Sequence, residues 1–337
     1  MPLLGRNRAA SPEDGIRACW DWWQEARVRL EAAIESRALE PFIGEITAHV
    51  NAIDSGMAWE LGPGLTARHA FTLSSEGNIA LRPLAQRWLM AAPEPDASWE
   101  YHPARLPDSG FDLQIEGRAL ATDDYRLGMH VDETRRRVDV EIFHPQHAEM
   151  PEGQRLMSIF LFLDHLLGED DVERWLGRIQ LAPEEPAASE RAESLLEEVE
   201  RLRAMPADTA FTVMQGVDAK GQPVFATVNL AIKRIDHLFA DRHAAITIRL
   251  TTGWPPSPAE FERLEGAEDD LLARIEGTAI WIGRVTKPGV RVVHLIAEDG
   301  AAAEKAVEAW RKSNPDVPAT AAWETDPKWT FRSEWGG

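Results

Sequence analysis

The chain has a single cysteine, Cys19, among its 337 residues, which excludes an internal disulfide and a multi-cysteine metal site. It has no uninterrupted apolar run near the roughly 18 residues that a membrane helix needs, and residues 1–10 lack an apolar signal core. Phosphate-binding loops, dinucleotide-binding glycine motifs, paired helical histidines and nucleophile elbows are also missing. These gaps predict a cytoplasmic protein that contacts no membrane.

The chain also has too few basic residues to balance its acids, since 36 lysines and arginines against 56 aspartates and glutamates give a formal net charge of -20. The resulting field repels phosphate backbones, so we expect no direct binding of nucleic acid. Most of the excess acid lies before residue 206. The charge instead favours a basic protein partner, because complementary fields speed association and disfavour wrong partners.

Tryptophan is abundant where tyrosine is rare, with 13 tryptophans against two tyrosines. Indole rings are used both in cores and at the centres of interfaces. Burial in the core is the commoner use, and we expect it for most of them. A homo-oligomer whose tryptophans bury a self-interface is left open.

The length predicts two domains of the α+β class, each with antiparallel sheets and packed helices. An acidic, tryptophan-rich α+β domain is predicted over residues 1–182, where a capped helix beginning at Ser11 carries a periodic apolar stripe. A linker and connecting helix follow over residues 183–206, because proline, alanine and glutamate dominate the start of this segment.

The second domain is predicted over residues 207–337 and reads as a hairpin followed by strand, helix, two strands, helix and strand. That βαββαβ order is the ferredoxin-like arrangement, here with an added N-terminal hairpin. Its first helix begins at Ser257, and Ser257 with Glu260 has the form of a capping box.

The same region contains a set of residues that recurs in one protein family: Gly221-Gln222-Pro223, Ser257, Glu260-Phe261-Glu262, Leu264, Glu268-Asp269, Leu271, Gly283-Arg284-Val285-Thr286, Gly289, Arg291 and Asp326-Pro327-Lys328-Trp329. On these residues, the chain resembles the bacterial domain-of-unknown-function family number 695 over about residues 208–335. The resemblance implies a fold, and it implies no activity and no catalytic residue.

Glu268 is the main candidate for a site, because its spacing places a carboxylate on the buried stripe of the helix that begins at Ser257. A buried carboxylate needs a partner, and Arg284 or Arg291 on the following hairpin could supply it. The sequence leaves open a structural ion pair or a ligand site in which an arginine receives an anion. Asp269 adjoins Glu268, and the same two interpretations, a structural ion pair or a ligand site, apply to it.

Three histidine-containing segments also raise the question of a site. His144 and His147 flank a proline in a loop, Asp164-His165 ends an apolar helix before an acidic turn, and Asp236-His237 lies near Asp241 and His243. Each is interpreted first as structure, because such residues are ordinary in polar loops and at helix ends. We therefore predict no metal, no cofactor and no catalytic residue.

The leading functional hypothesis is a non-catalytic cytoplasmic regulatory or protein-interaction protein with a basic partner, which includes a nuclease or toxin held inhibited. The alternative is an enzyme or small-molecule binder with an anion-accepting site in the interdomain cleft, where Arg284 or Arg291 contacts the anion.

Overall fold

The computed structural model describes residues 11–108, 113–205 and 211–335. Helices and strands are mixed along the chain and the strands form separate sheets, so the protein is of the α+β class, as predicted. No helix among the described residues is both long enough and apolar enough to cross a bilayer.

The helices are α1 (Pro12–Glu35), α2 (Glu40–Asn51), α3 (Arg82–Met90), α4 (Glu152–Leu167), α5 (Glu169–Trp175), α6 (Ala192–Ala204), α7 (Pro258–Ile275), α8 (Gly300–Ser313) and α9 (Thr330–Glu334). The strands are β1 (Ala58–Gly62), β2 (His69–Ser74), β3 (Trp99–His102), β4 (Leu113–Ile115), β5 (Arg118–Leu120), β6 (Arg126–Asp132), β7 (Arg137–Phe143), β8 (Leu176–Leu181), β9 (Phe211–Val217), β10 (Pro223–Asn229), β11 (Arg242–Arg249), β12 (Ile280–Lys287), β13 (Val290–Ala297) and β14 (Ala319–Thr325).

The chain forms two compact units whose segments interleave along the sequence. The first unit contains Met1–Leu127, Ile142–Glu173 and Leu181–Ala187, and the second contains Gly128–Glu141, Arg174–Gln180 and Ala188–Gly337. The predicted domain boundaries at residues 182 and 206 stay predictions.

Indole rings dominate the core of the first unit, where α1 and α3 pack on the sheet formed by β1, β2 and β3. The Trp20 and Trp88 rings stack 4.6 Å apart, and the Trp20 N–H donates to the Trp88 carbonyl at 2.8 Å. The Trp23 N–H donates to the Tyr101 hydroxyl at 2.8 Å. The hydrogen bonds of the Trp20 and Trp23 N–H groups avoid the cost of leaving these two buried donors unpaired.

A six-stranded sheet organises the second unit in the order β14-β11-β13-β12-β10-β9, with every neighbouring pair antiparallel. One face packs against α7 and α8 around a core that includes Trp310. The other face packs against Trp329 and Phe331 near the end of the chain. The ferredoxin-like arrangement remains our interpretation of the order of β11 to β14, and β10 and β9 extend the sheet beyond β12.

The start of α7 forms only half of the capping box. The Ser257 hydroxyl accepts from the Glu260 N–H at 3.3 Å, as that motif requires. The Glu260 carboxylate instead accepts from the Thr251 N–H at 2.5 Å and the Thr252 N–H at 3.0 Å. Glu260 is therefore buried and ties the loop after β11 to α7.

Candidate functional site

Helix α7 places Glu268 on its buried side, together with Leu264, Leu271 and Ile275. Positions three, four and seven apart lie on one face of a helix, which is why this carboxylate follows the apolar stripe into the interior. The Glu268 side chain is 3% exposed. Asp269, one position further on, is exposed and lies outside the group described next.

Two arginines from the neighbouring strands meet two glutamates of α7, and we call these four residues the ion cluster. In it, Arg284 Nη1 lies 2.9 Å from Glu265 Oε1 and 2.9 Å from Glu268 Oε2. Arg291 Nη1 lies 3.2 Å and 3.1 Å from the same two oxygens. The charges balance, so this group is a closed pair of ion pairs in which both arginines are occupied.

Burial differs sharply across the ion cluster. The side chains of Arg291 and Glu268 are each 3% exposed, whereas that of Glu265 is 38% exposed. Burial raises the pKa of Glu268, although Arg284 and Arg291 act to lower it. Its Oε1 atom is buried and receives no hydrogen bond from the described residues. Each arginine therefore already holds two carboxylates through its Nη1 atom.

An apolar surface lies on the same face of the sheet, beyond the side of α7. Val213 and Val217 of β9 are 71% and 72% exposed, and Phe225 of β10 is 38% exposed. In the register, Val213 pairs with Thr227, which pairs with Arg284 of the ion cluster. We call Val213, Val217 and Phe225 the sheet shelf.

The two long sides of α7 have different neighbours. One side contacts α8, because the Trp310 N–H donates to the Ala267 carbonyl at 2.7 Å and the Asn314 amide donates to Asp270 at 2.9 Å. At 100° per residue, the opposite side presents Phe261 and Glu265 and continues into Glu262 and Asp269. Phe261 is 47% exposed. The side of α7 away from α8 is thus apolar at its start and acidic beyond it.

Strand β9 forms one edge of the sheet, and none of its residues from Phe211 to Val217 is charged. Edge strands that avoid association usually carry charges, prolines or bulges. Phe211 covers one end of this strand by stacking on Trp281 at 4.2 Å. The sheet shelf keeps an exposed apolar surface, which is the usual mark of a binding surface.

The loop histidines form part of the core of the first unit. His144 is fully buried and His147 is 3% exposed, and both rings pack on Tyr125. His147 Nε2 lies 2.7 Å from Ser158 Oγ, and burial lowers the pKa of His147 to about 4. Among the described residues, no group of three or more side chains has the geometry to hold a metal ion.

The acidic segment after Asp164 is not the solvated turn that the sequence suggests. Glu169 begins α5, is 6% exposed, and accepts from the Ser74 hydroxyl at 2.9 Å and from the Arg105 N–H at 3.2 Å. Burial, followed by the nearby charge of Glu169, raises the pKa of Asp164 to about 7. Sequence spacing misses this because Ser74 lies 95 residues before Glu169.

The remaining histidine segment belongs to the second unit. His243 Nε2 lies 3.1 Å from His294 Nδ1, and His243 Nδ1 lies 3.0 Å from Glu324 Oε1. Burial lowers the pKa of His294 to about 3, so this ring is neutral and stacks on Phe331 at 3.6 Å. Asp236 lies elsewhere and pairs with Arg174 at 2.9 Å.

Residues 213–334 match the model of one protein family, described as a family of unknown function (DUF695). The match confirms the resemblance predicted for the C-terminal region and takes in the whole ion cluster and the sheet shelf. No curated protein and no solved structure matches the chain significantly.

Several residues that carry the family resemblance hold the fold together. Asp326 accepts from the Thr330 N–H at 2.6 Å, and the Trp329 indole donates to the Ala240 carbonyl at 2.7 Å. At Gly283, a Cβ atom would lie 2.7 Å from the Thr227 carbonyl oxygen, so a larger residue would push β12 away from β10. These residues therefore stabilise the six-stranded sheet and are themselves buried.

Proposed function

We propose that the second unit is a non-catalytic interaction module of a cytoplasmic regulatory protein, and that its sheet shelf binds a basic amphipathic helix of a partner protein. The observation that carries the proposal is the exposure of Val213 and Val217, at 71% and 72%, on an uncharged edge strand beside α7. An amphipathic helix that packs on the sheet shelf would bury its apolar face and leave its polar face in water.

The number of helices on the sheet supports this choice of occupant. Helices α7 and α8 cover one face of the sheet around a core drawn from β11 and β13, while the exposed side chains of β9 and β10 continue the same face. A third helix beside α7 would complete the layer, because a sheet face is stabilised by burial against another element. Strands β9 and β10 lie about 5 Å apart, so together they present a surface about as wide as one helix, whose diameter with side chains is about 10 Å.

Charge sets the preferred partner. The side of α7 towards the shelf carries Glu262, Glu265 and Asp269, and only Glu265 is neutralised within the ion cluster. Lysine or arginine on the flank of an incoming helix would meet these acids, and the net charge of -20 would speed its approach. The closed ion cluster favours this reading over anion binding at Arg284 or Arg291, since both guanidinium groups already hold carboxylates.

The experiment places photoreactive benzoylphenylalanine at Val213 in the full chain, in cells of its native source. The matched control carries the same group at Val28, which is 69% exposed in the first unit. We expect a discrete crosslink from position 213 alone. The crosslinked peptide, mapped by mass spectrometry, should be basic with apolar residues at helical spacing, and Phe225→Asn should abolish the crosslink.

Three outcomes contradict the proposal. The first is equal crosslinking from both positions, and the second is the absence of a crosslink at 213. The third is a crosslinked peptide that is acidic, or that comes from a second copy of this chain. The last result would replace the partner helix by self-association through β9.

A further inference from the structure

In the second unit, the charges of Arg136 and Arg332 act on the buried Lys233, and we call Lys233, Arg136 and Arg332 the basic cluster. Lys233 follows β10, Arg136 lies in the turn before β7, and Arg332 belongs to α9. Lys233 is 5% exposed and Arg332 is 6% exposed, while Arg136 is partly exposed. Such burial of positive groups is unusual, because lysine and arginine are rarely buried without a paired charge.

Backbone carbonyls are the hydrogen-bond acceptors in this cluster. Lys233 Nζ donates to the Arg136 carbonyl at 2.7 Å and to the Arg135 carbonyl at 3.1 Å. An Arg332 guanidinium nitrogen donates to the Leu230 carbonyl at 2.8 Å. Lys233 Nζ also lies 5.1 Å from the centre of the Trp175 ring, over its face.

The described residues supply no acidic partner to the basic cluster. Among the described parts of the chain, no carboxylate lies within 4.0 Å of the charged atoms of Lys233, Arg136 or Arg332. Asp236 is the nearby acid, and it pairs with Arg174 at 2.9 Å. The Nε atoms of Arg136 and Arg332 are buried and have no acceptor among the described residues.

We propose that the basic cluster is a binding site for a small tetrahedral oxyanion, namely the phosphate group of inorganic phosphate or of a small phosphorylated metabolite. Phosphate carries a charge of about -1.5 to -2 near neutral pH and several acceptor oxygens, which suits three cations and two unused Nε donors. A single carboxylate would neutralise only one of the three. The burial of Lys233 and Arg332 excludes a polymer backbone as the ligand.

The electrostatics of Lys233 support this assignment. Burial, followed by the charges of Arg137, Arg332 and Arg136, lowers the pKa of Lys233 to about 6, while Asp236 acts in the opposite direction. Burial and the charges of Arg137 and Arg135 also lower the pKa of Arg332 to about 10. A bound oxyanion would remove this repulsion and return Lys233 to its charged form.

The test measures the melting temperature of the full chain at pH 7 while phosphate replaces chloride at constant ionic strength. We expect the melting temperature to rise by about 5 °C when phosphate reaches 100 times its dissociation constant. Without phosphate, Lys233→Met should melt at a higher temperature than the wild type, because the wild type must take the Lys233 amine out of water and release its proton on folding. The variant should also lose the response to phosphate. Lys220→Met, at an exposed lysine in the turn before β10, should keep the wild-type response.

A phosphate response of equal size in Lys233→Met would overturn the assignment, as would a wild type that ignores phosphate. Because Lys233→Met is expected to fold at least as well as the wild type, misfolding does not obscure the result. A second readout is the NMR titration of the Lys233 side chain, whose pKa should rise when phosphate is added. An unchanged pKa at saturating phosphate would also contradict the proposal. Comparing the rise in melting temperature with glucose 6-phosphate to that with inorganic phosphate, at the same ionic strength, shows which of the two the site prefers.

Discussion

Replacing Glu268 by alanine tests the ion cluster most directly. The change removes the carboxylate that lies 2.9 Å from Arg284 and 3.1 Å from Arg291. Among the described residues, Arg291, whose side chain is 3% exposed, would keep the Thr286 hydroxyl and one carboxylate, Glu265 at 3.2 Å, which is itself partly in water. Removing one partner of a buried ion pair costs about 3–5 kcal/mol, because the remaining charge stays buried.

Two features of the site place the expected loss near the lower end of that range. Glu268 Oε1 has no hydrogen-bond donor among the described residues, and burial raises the pKa of Glu268. Both mean that the arginines only partly offset the cost of taking this carboxylate out of water. We therefore expect Glu268→Ala to lower the free energy of unfolding by about 3 kcal/mol at pH 7.

The assay is urea unfolding followed by tryptophan fluorescence and by circular dichroism, which also tests whether the two units unfold together. Asp269→Ala is the matched control, because Asp269 is exposed on the same helix and should change stability by less than about 0.5 kcal/mol. The double variant Glu268→Met with Arg291→Met should recover most of the loss, since no lone charge then stays buried. Equal stabilities for Glu268→Ala and Asp269→Ala would refute the reasoning.

Three further predictions concern other parts of the second unit. Lys233→Met should raise the free energy of unfolding by about 3 kcal/mol at pH 7 without phosphate; this gain should shrink as the pH rises from about 6 to 10.5, because the unfolded wild type binds more protons than the folded one in that range. Urea unfolding at about pH 6.5 and pH 9 that shows no such trend would contradict the prediction. Burial would raise the pKa of Glu260, but hydrogen bonds from Thr252 and Thr251 outweigh it and lower this pKa to about 2, so wild-type stability should fall between pH 4.5 and 2. Glu260→Gln should melt at a lower temperature than the wild type at pH 7 and should lack that fall. Parallel profiles of melting temperature against pH for the two proteins would argue against this role of Glu260. Gly283→Ala should lower the melting temperature, because its Cβ atom would lie 2.7 Å from the Thr227 carbonyl oxygen. Gly266→Ala, at an open position on α7, should stabilise the helix by about 1 kcal/mol. A higher melting temperature for Gly283→Ala than for Gly266→Ala in calorimetry would show that β12 can move to accept the extra methyl group.

Local periodicity accounts for what could be predicted in the second unit. The spacing of the apolar residues in α7 places Glu268 inside, and the hairpin that follows supplies Arg284 and Arg291 close by. The long helices and the hairpin of β12 and β13 follow from the same kind of signal, because each depends on neighbours along the chain.

Features that depend on distant residues could not be predicted. Arg136 lies 97 residues before Lys233, and Arg332 follows Lys233 by about the same distance, so no spacing in the sequence relates them. Helix α9 has only five residues, too few for a periodic pattern, and depends on the hydrogen bonds of Asp326. The exposure of Val213 could not be predicted either, because an alternating strand has the same pattern whether or not a helix covers it.

The clustered indoles of the first unit give the protein a built-in optical reporter. Trp20 stacks on Trp88 at 4.6 Å, and the Trp23 and Trp99 rings meet edge to face at 4.9 Å. Rings this close share their excited states, so excitation transfers among them and their transitions couple. Loss of the coupled circular dichroism band would therefore report the opening of the first unit, whose core contains all four of these rings.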